Sequence, residues 1–151
     1  MKNKEDLQAS TVLNIFRASN LLSRIGGKLT AQVGLASVQQ WILLGMISRN
    51  EGLSLKELCE DTLVTKQNIS SIVERLHQAG YVTTCKDLSD RRITRVRLTE
   101  QGKQILKALK PITRASNDRT FEIFEPEEFM VFASLMERLV MHLGQQADRT
   151  E

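Results

Sequence analysis

Between Asp87 and Gly102 the chain reads DLSDRRITRVRLTEQG, and the chemistry on offer there is cationic. Asp87 and Asp90 favour tight turns through side-chain-to-backbone hydrogen bonds. Thr94, Val96 and Leu98 then alternate with Ile93, Arg95 and Arg97, the period-two pattern of a half-buried strand. The spacing predicts a β-hairpin with Arg91 and Arg92 at its tip. Just upstream, Lys66, Gln67, Ser70, Ser71 and Glu74 fall opposite the apolar stripe Ile69, Ile72, Val73 and Leu76 of a predicted helix. A short-chained polar face suits a major groove: Gln67 matches adenine bidentately, the serines bond bases or phosphates, and Lys66 meets a phosphate. Cations on a hairpin beside such a helix fit the grooves of duplex DNA. For Arg92 an internal ion pair with Asp90 or Asp87 is the alternative, and the two roles are compatible.

The elements that must carry these residues are mostly helical. A periodic segment from about Leu7 to Val33 reads as one long helix, with Leu22, Ile25, Leu29 and Val33 stepping by three and four. Gly26-Gly27 inside it permits a bend or a close helix approach. Ser37 with Gln40, and Ser54 with Glu57, have capping-box spacing. They open a helix carrying Trp41, Leu44 and Ile47, then a short one carrying Leu55, Leu58 and Cys59. After the Asp61-Thr62-Leu63-Val64 connection, Thr65 is the expected cap of the polar-faced helix, and Gly80 its stop. Thr99 caps a later helix with Ile105, Leu106, Leu109 and Ile112 inward, in which Pro111 predicts a kink or a lost backbone bond. Pro126 suits the first turn of a last helix, where Phe129, Phe132, Met136, Leu139 and Leu143 make a 3-4-3-4 stripe too long to leave in water. Periodicity alone leaves open whether that stripe meets a second copy or packs within the chain.

Net charge divides along the 151 residues: residues 65–110 carry +6, residues 111–151 carry −4, and residues 1–64 carry +1. The anion-seeking charge therefore coincides with the helix and hairpin singled out above. The longest purely apolar runs are only a few residues, such as Trp41 to Leu44, so no bilayer span and no membrane partner are expected, and a cytoplasmic location is. Cys59 and Cys85 lack metal-ligand spacing and read as reduced packing residues. Neither His77 nor His142 is spaced with a carboxylate and a nucleophile, and no glycine-rich phosphate loop occurs, so no enzyme, metal or cofactor is expected.

The stretch SLKELCEDTLVTKQNISSIVERLHQAGYV from Ser54 to Val82, followed by DLSDRR and Leu98-Thr99-x-x-Gly102, resembles the multiple antibiotic resistance regulator (MarR) family of winged-helix transcription factors. Residues 54–102 carry the resemblance, and the flanks match by helical layout. Ser89 departs from it, standing where the family commonly has arginine. The resemblance implies a mainly α fold with a small β-wing: an N-terminal dimerisation helix (1–36), a winged helix-turn-helix DNA-binding domain (37–99) and C-terminal dimerisation helices (100–151). It implies a homodimer on double-stranded DNA, usually a repressor at an inverted-repeat operator, released by a small phenolic or anionic inducer or by an oxidant. Carried over residue by residue, the recognition-helix contacts are Lys66, Gln67, Asn68, Ser70, Ser71 and Arg75. The minor-groove wing arginine is Arg92, with Arg91 beside it near the backbone. The inducer pocket between the lobes falls on Phe16, Arg17, Trp41 and Met46, with core packing as the alternative for these residues. Two other readings stand beside this one. One is redox control through Cys85, whose neighbour Lys86 would favour the thiolate, or through Cys59. The other is a winged helix used as a protein-interaction module.

Overall fold

Side-chain caps set where helices begin in the structure, a computed structural model that describes residues 3–62 and 66–148. The order is α1 (Lys4–Ala31), α2 (Val38–Arg49), β1 (Leu53–Ser54), α3 (Leu55–Thr62), α4 (Lys66–Gln78), β2 (Val82–Lys86), β3 (Thr94–Leu98), α5 (Glu100–Phe121) and α6 (Pro126–Asp148). Helix α1 starts earlier than its apolar period does, because Asn3 Oδ1 accepts from the Glu5 and Asp6 amides at 2.5 and 3.3 Å. The Ser54–Glu57 box is complete: Glu57 Oε2 accepts from the Ser54 amide at 2.7 Å, and Ser54 Oγ from the Glu57 amide at 3.2 Å. The Ser37–Gln40 box is half formed. Ser37 Oγ accepts from the Gln40 amide at 3.3 Å, but the Gln40 side chain accepts from Ala36 N instead, at 2.9 Å. Thr65, the expected cap of α4, lies outside the described residues, as do Leu63 and Val64.

Of the two uses open to Gly26-Gly27, close approach is the one realised: a Cβ on Gly26 would stand 2.8 Å from Val38 Cγ2, so α2 enters against bare α1 backbone. Helix α5 runs unbroken through Pro111.

The hairpin β2–β3 forms as expected, with Val82 opposite Leu98 and Lys86 opposite Thr94. A third strand was not anticipated. β1 pairs antiparallel with β3, Leu53 opposite Val96, and gives the sheet order β1-β3-β2. The core lies beneath this sheet: Leu43, Leu44 and Ile47 of α2, Leu58 of α3, Ile69, Val73 and Leu76 of α4, Val82, Val96 and Leu109 are all buried. Burial of Ile69, Val73 and Leu76 sets which face of α4 remains outward.

Helices α1 and α6 are different. Phe129 rests on Phe121 with ring centroids 4.9 Å apart, and Phe132 on Phe124 at 5.3 Å, which fixes the α5–α6 corner. Beyond it Met130, Val131, Leu135, Val140, Met141 and Leu143 leave 50–70% of their surface in solvent. On α1, Leu7, Val12, Leu13, Phe16 and Leu21 leave 51–65% exposed. The α6 stripe itself is partly covered within the chain, with Phe129 and Phe132 on Phe121 and Phe124 and with Met136 and Leu139 half-buried, while a neighbouring apolar face of α6 stays open.

Candidate nucleic-acid interface

Helix α4 presents Gln67, Asn68, Ser71 and Arg75 to solvent, while Ser70 is half-buried on the flank of the apolar stripe. Lys66 starts the helix, and its side chain lies outside the described part. Glu74 shares the outer face and accepts from Gln78 Nε2 at 2.9 Å, keeping its carboxylate toward the C-terminal end of the helix. Gly80, at φ +79°, ends α4 in a left-handed cap: its amide donates to His77 O at 2.9 Å, and the Tyr81 amide to Leu76 O at 2.9 Å.

The wing turn is organised by two carboxylates. Asp87 Oδ1 accepts from the Ser89 amide at 2.8 Å, Ser89 Oγ at 2.5 Å and the Asp90 amide at 3.0 Å. Asp90 accepts from the Arg92 amide at 3.0 Å and from Arg92 Nε and a terminal guanidinium nitrogen, both at 3.1 Å. The internal ion pair weighed for Arg92 is therefore formed, with the Arg92 side chain still 90% exposed. Arg91 is exposed at the same tip and makes no ion pair among the described residues.

Arg95 alternates with buried Val96 as the strand pattern requires, but the pattern gives none of its partners. Alternation places it on the strand side of Ile93 and Arg97 and says nothing of what it reaches. Its guanidinium donates to Asp87 Oδ2 and, at 2.9 Å, to Gly52 O, and stands 4.0 Å from Glu57 Oε2. One side chain thus ties the wing turn to β1 and to the cap of α3. The Ser89 hydroxyl and then Arg95 hold the Asp87 carboxyl well below the usual carboxylate range; Arg92 lowers Asp90, and hydrogen bonds to Ser54 lower Glu57. Carboxyls lowered by folding stabilise the folded turn above their ordinary range and lose that effect as pH falls through it toward the folded-state values. The wing is accordingly expected to keep its order at neutral pH and to loosen in acid before the core. Arg95→Ala should accelerate amide exchange at Ser89 and Asp90 roughly tenfold at pH 7, while the buried α4 amides exchange as before. Unchanged exchange at those two amides would show that Arg95 does not brace the turn.

Phe16 and Arg17 are exposed on α1, whereas Trp41 and Met46 are half-buried against the core. A groove of about 500 Å³ lies elsewhere, on α6, along Leu135, Arg138, Leu139, Met141, His142 and Gln145. Cys59 is half-buried and Cys85 exposed, both as free thiols. His77 Nδ1 is 3.1 Å from Val82 O and His142 Nε2 is 3.0 Å from Gln146 Nε2. Among the described residues no three His, Cys, Asp or Glu side chains gather as a metal site, and no helix is long and apolar enough to cross a membrane.

A family model for MarR regulators matches residues 34–93, the stretch from the end of α1 to the wing. Over that stretch the chain is similar to MarR-family regulators. Among curated relatives, the transcriptional activatory protein BadR of Rhodopseudomonas palustris is 29% identical over 116 residues, 74% of this chain and 66% of its own length. An HTH-type transcriptional repressor of Mycobacterium tuberculosis is 27% identical over 125 residues, covering 79% of this chain and 90% of its own. The fold matches the crystal structure of the organohalide-sensing transcriptional regulator RdhR in its 2,4-dichlorophenol-bound form with a TM-score of 0.82, at 18% identity over 95% of this chain and 87% of that one. The chain has a winged helix-turn-helix and is similar to transcriptional regulators of the MarR kind, and relatives named as activator and as repressor lie at similar distance from it.

Proposed function

We propose that the chain binds an inverted-repeat operator as a homodimer, usually to repress, and lets go when a small phenolic or anionic ligand enters between the dimer lobe and the winged domain. The observation that carries this reading is the joint exposure, on one winged unit, of the polar α4 face (Gln67, Asn68, Ser71, Arg75) and the wing cations Arg91 and Arg92. Lys66 at the start of α4 and Ser70 on its flank complete the reading surface, and Arg92 exchanges Asp90 for the minor groove on contact. An exposed pair of that kind is worth about 1 kcal/mol or less, so DNA competes for it easily. Residues 37–99 form the DNA-binding unit in this reading, and residues 1–36 and 100–151 supply the dimerisation helices. Their open apolar faces on α1 and α6 support it, since faces of that size ordinarily mark an interface.

A two-fold dimer must set its α4 helices about 34 Å apart to reach successive major grooves. A ligand releases DNA if it binds better to an arrangement with another spacing. Phe16 and Arg17 on α1, with Trp41 and Met46 on α2, are the proposed lining, and Arg17 would pair with an anionic ring substituent. RdhR, bound to 2,4-dichlorophenol, supports the ligand class.

Fluorescence anisotropy with DNA from upstream of the chain's own gene, against a random duplex, tests the reading. The upstream site should bind about 1,000-fold more tightly, and salicylate-like acids should release it. Arg92→Ala should weaken binding and reduce the slope of log K against log salt by about one. A specificity ratio near one would favour the protein-interaction module instead, and an unchanged slope would remove Arg92 from the interface.

A further inference from the structure

Leu88 is fully exposed, the most exposed large apolar side chain of the described residues at 103% of its reference surface. It occupies the wing turn between Asp87, which is tied to Ser89, Asp90 and Arg95, and the cations Arg91 and Arg92. The turn is closed at its base by the Asp87 amide donating to Ile93 O and the Ile93 amide to Asp90 O, each at 3.0 Å. These hydrogen bonds tie the polar groups of the turn to one another, and the Leu88 side chain is left with nothing to touch. An isolated leucine on a surface carries no message. Here, however, it stands on a braced turn beside two cations, and the combination matches one surface in particular. The wall of the minor groove presents phosphate oxygens at its rim and the C–H faces of deoxyribose between them. We propose that Leu88 packs against deoxyribose in the minor-groove wall while Arg91 and Arg92 meet the phosphates and the groove, so that the wing grips by an apolar contact as well as by charge.

The inference rests on the DNA-binding reading above, but its signature is separate. Burying part of a leucine stabilises a complex without releasing counterions, and a sugar contact does not depend on base identity. Leu88→Ala should therefore weaken binding about 5-fold, equally on operator and random duplex, with the salt slope of the wild type retained. Leu88→Met should restore most of the loss. Because Leu88 touches nothing in the free protein, the thermal midpoint of both variants should equal that of the wild type. An affinity within twofold of wild type for Leu88→Ala would overturn the proposal, as would a loss confined to the operator, which would mean insertion between base pairs. Failure of the wild-type protein to prefer any operator over random duplex would instead strike the DNA-binding reading itself, before any Leu88 variant is compared.

Discussion

Gly102→Ala is expected to lower the thermal midpoint by roughly 10 °C at fixed protein concentration. A Cβ at Gly102 would stand 2.1 Å from Tyr81 O and 3.2 Å from Leu98 Cδ2. The nearer atom is backbone, and that backbone is already committed: Tyr81 O accepts from the Thr99 amide at 3.1 Å. Thr99 Oγ1 in turn donates to Gly80 O at 2.6 Å and accepts from the Gly102 amide at 3.0 Å. The first turn of α5 thus rests directly on the chain leaving α4, and neither side can yield without breaking the cap of the other. Overpacking ordinarily costs about 1–3 kcal/mol, and a clash with fixed backbone belongs at or above the top of that range. Thermal unfolding followed by circular dichroism reads the shift, and Gly144→Ala, where a Cβ meets nothing within 4 Å, is the matched control. A midpoint unchanged by Gly102→Ala would show that the α4–α5 joint is soft. If the joint is stiff, any rotation of α5 must turn the reading helix with it.

What the sequence made legible is local. Capping residues, the 3.6-residue stripe of α4 and the two-residue alternation of the wing act over a few positions, so Ser54, Glu57, Ile69, Val73 and Arg91 could be placed without a fold. Strand β1 could not, because two residues, Leu53 and Ser54, have no period to detect, and only pairing with Val96 and Arg95 makes them a strand. The partners of Arg95 were hidden for a related reason. Alternation assigns a side to a side chain but not a reach, and its carbonyl partner, Gly52 O, is 43 residues away. Gly102 was visible only as a member of a motif, since the carbonyl that requires glycine there belongs to another element. The stripe of α6 was plain in the sequence, yet which side of the helix stays open is a property of the whole packed chain: Phe129 and Phe132 stack on Phe121 and Phe124, while Leu135 and Met141 stay out.

The open apolar face of α6, beside that stripe, carries the second large effect. Leu135→Glu on α6, combined with Leu13→Glu on α1, should convert the proposed dimer to monomer at micromolar concentration and weaken operator binding at least 100-fold. Both leucines are more than half exposed in the single chain, at 52% and 57%, so the charges stay solvated in the monomer and folding is expected to survive. In a dimer that covers them, each carboxylate would lose its water without gaining a partner, a cost of several kcal/mol per buried charge. Operator affinity follows because joining two half-site binders makes the second contact intramolecular, a gain of about 100- to 10,000-fold that vanishes when the link is cut. The monomer should still bind a single half-site weakly, with its α4 and wing intact, and the salt slope should fall to about half, since half the cations engage. Sedimentation velocity and anisotropy on the same preparation make the measurement. A wild-type chain that sediments as a monomer while binding a palindrome tightly would place dimerisation on the DNA rather than before it. A doubly substituted chain that still sediments as a dimer would move the interface off these faces altogether.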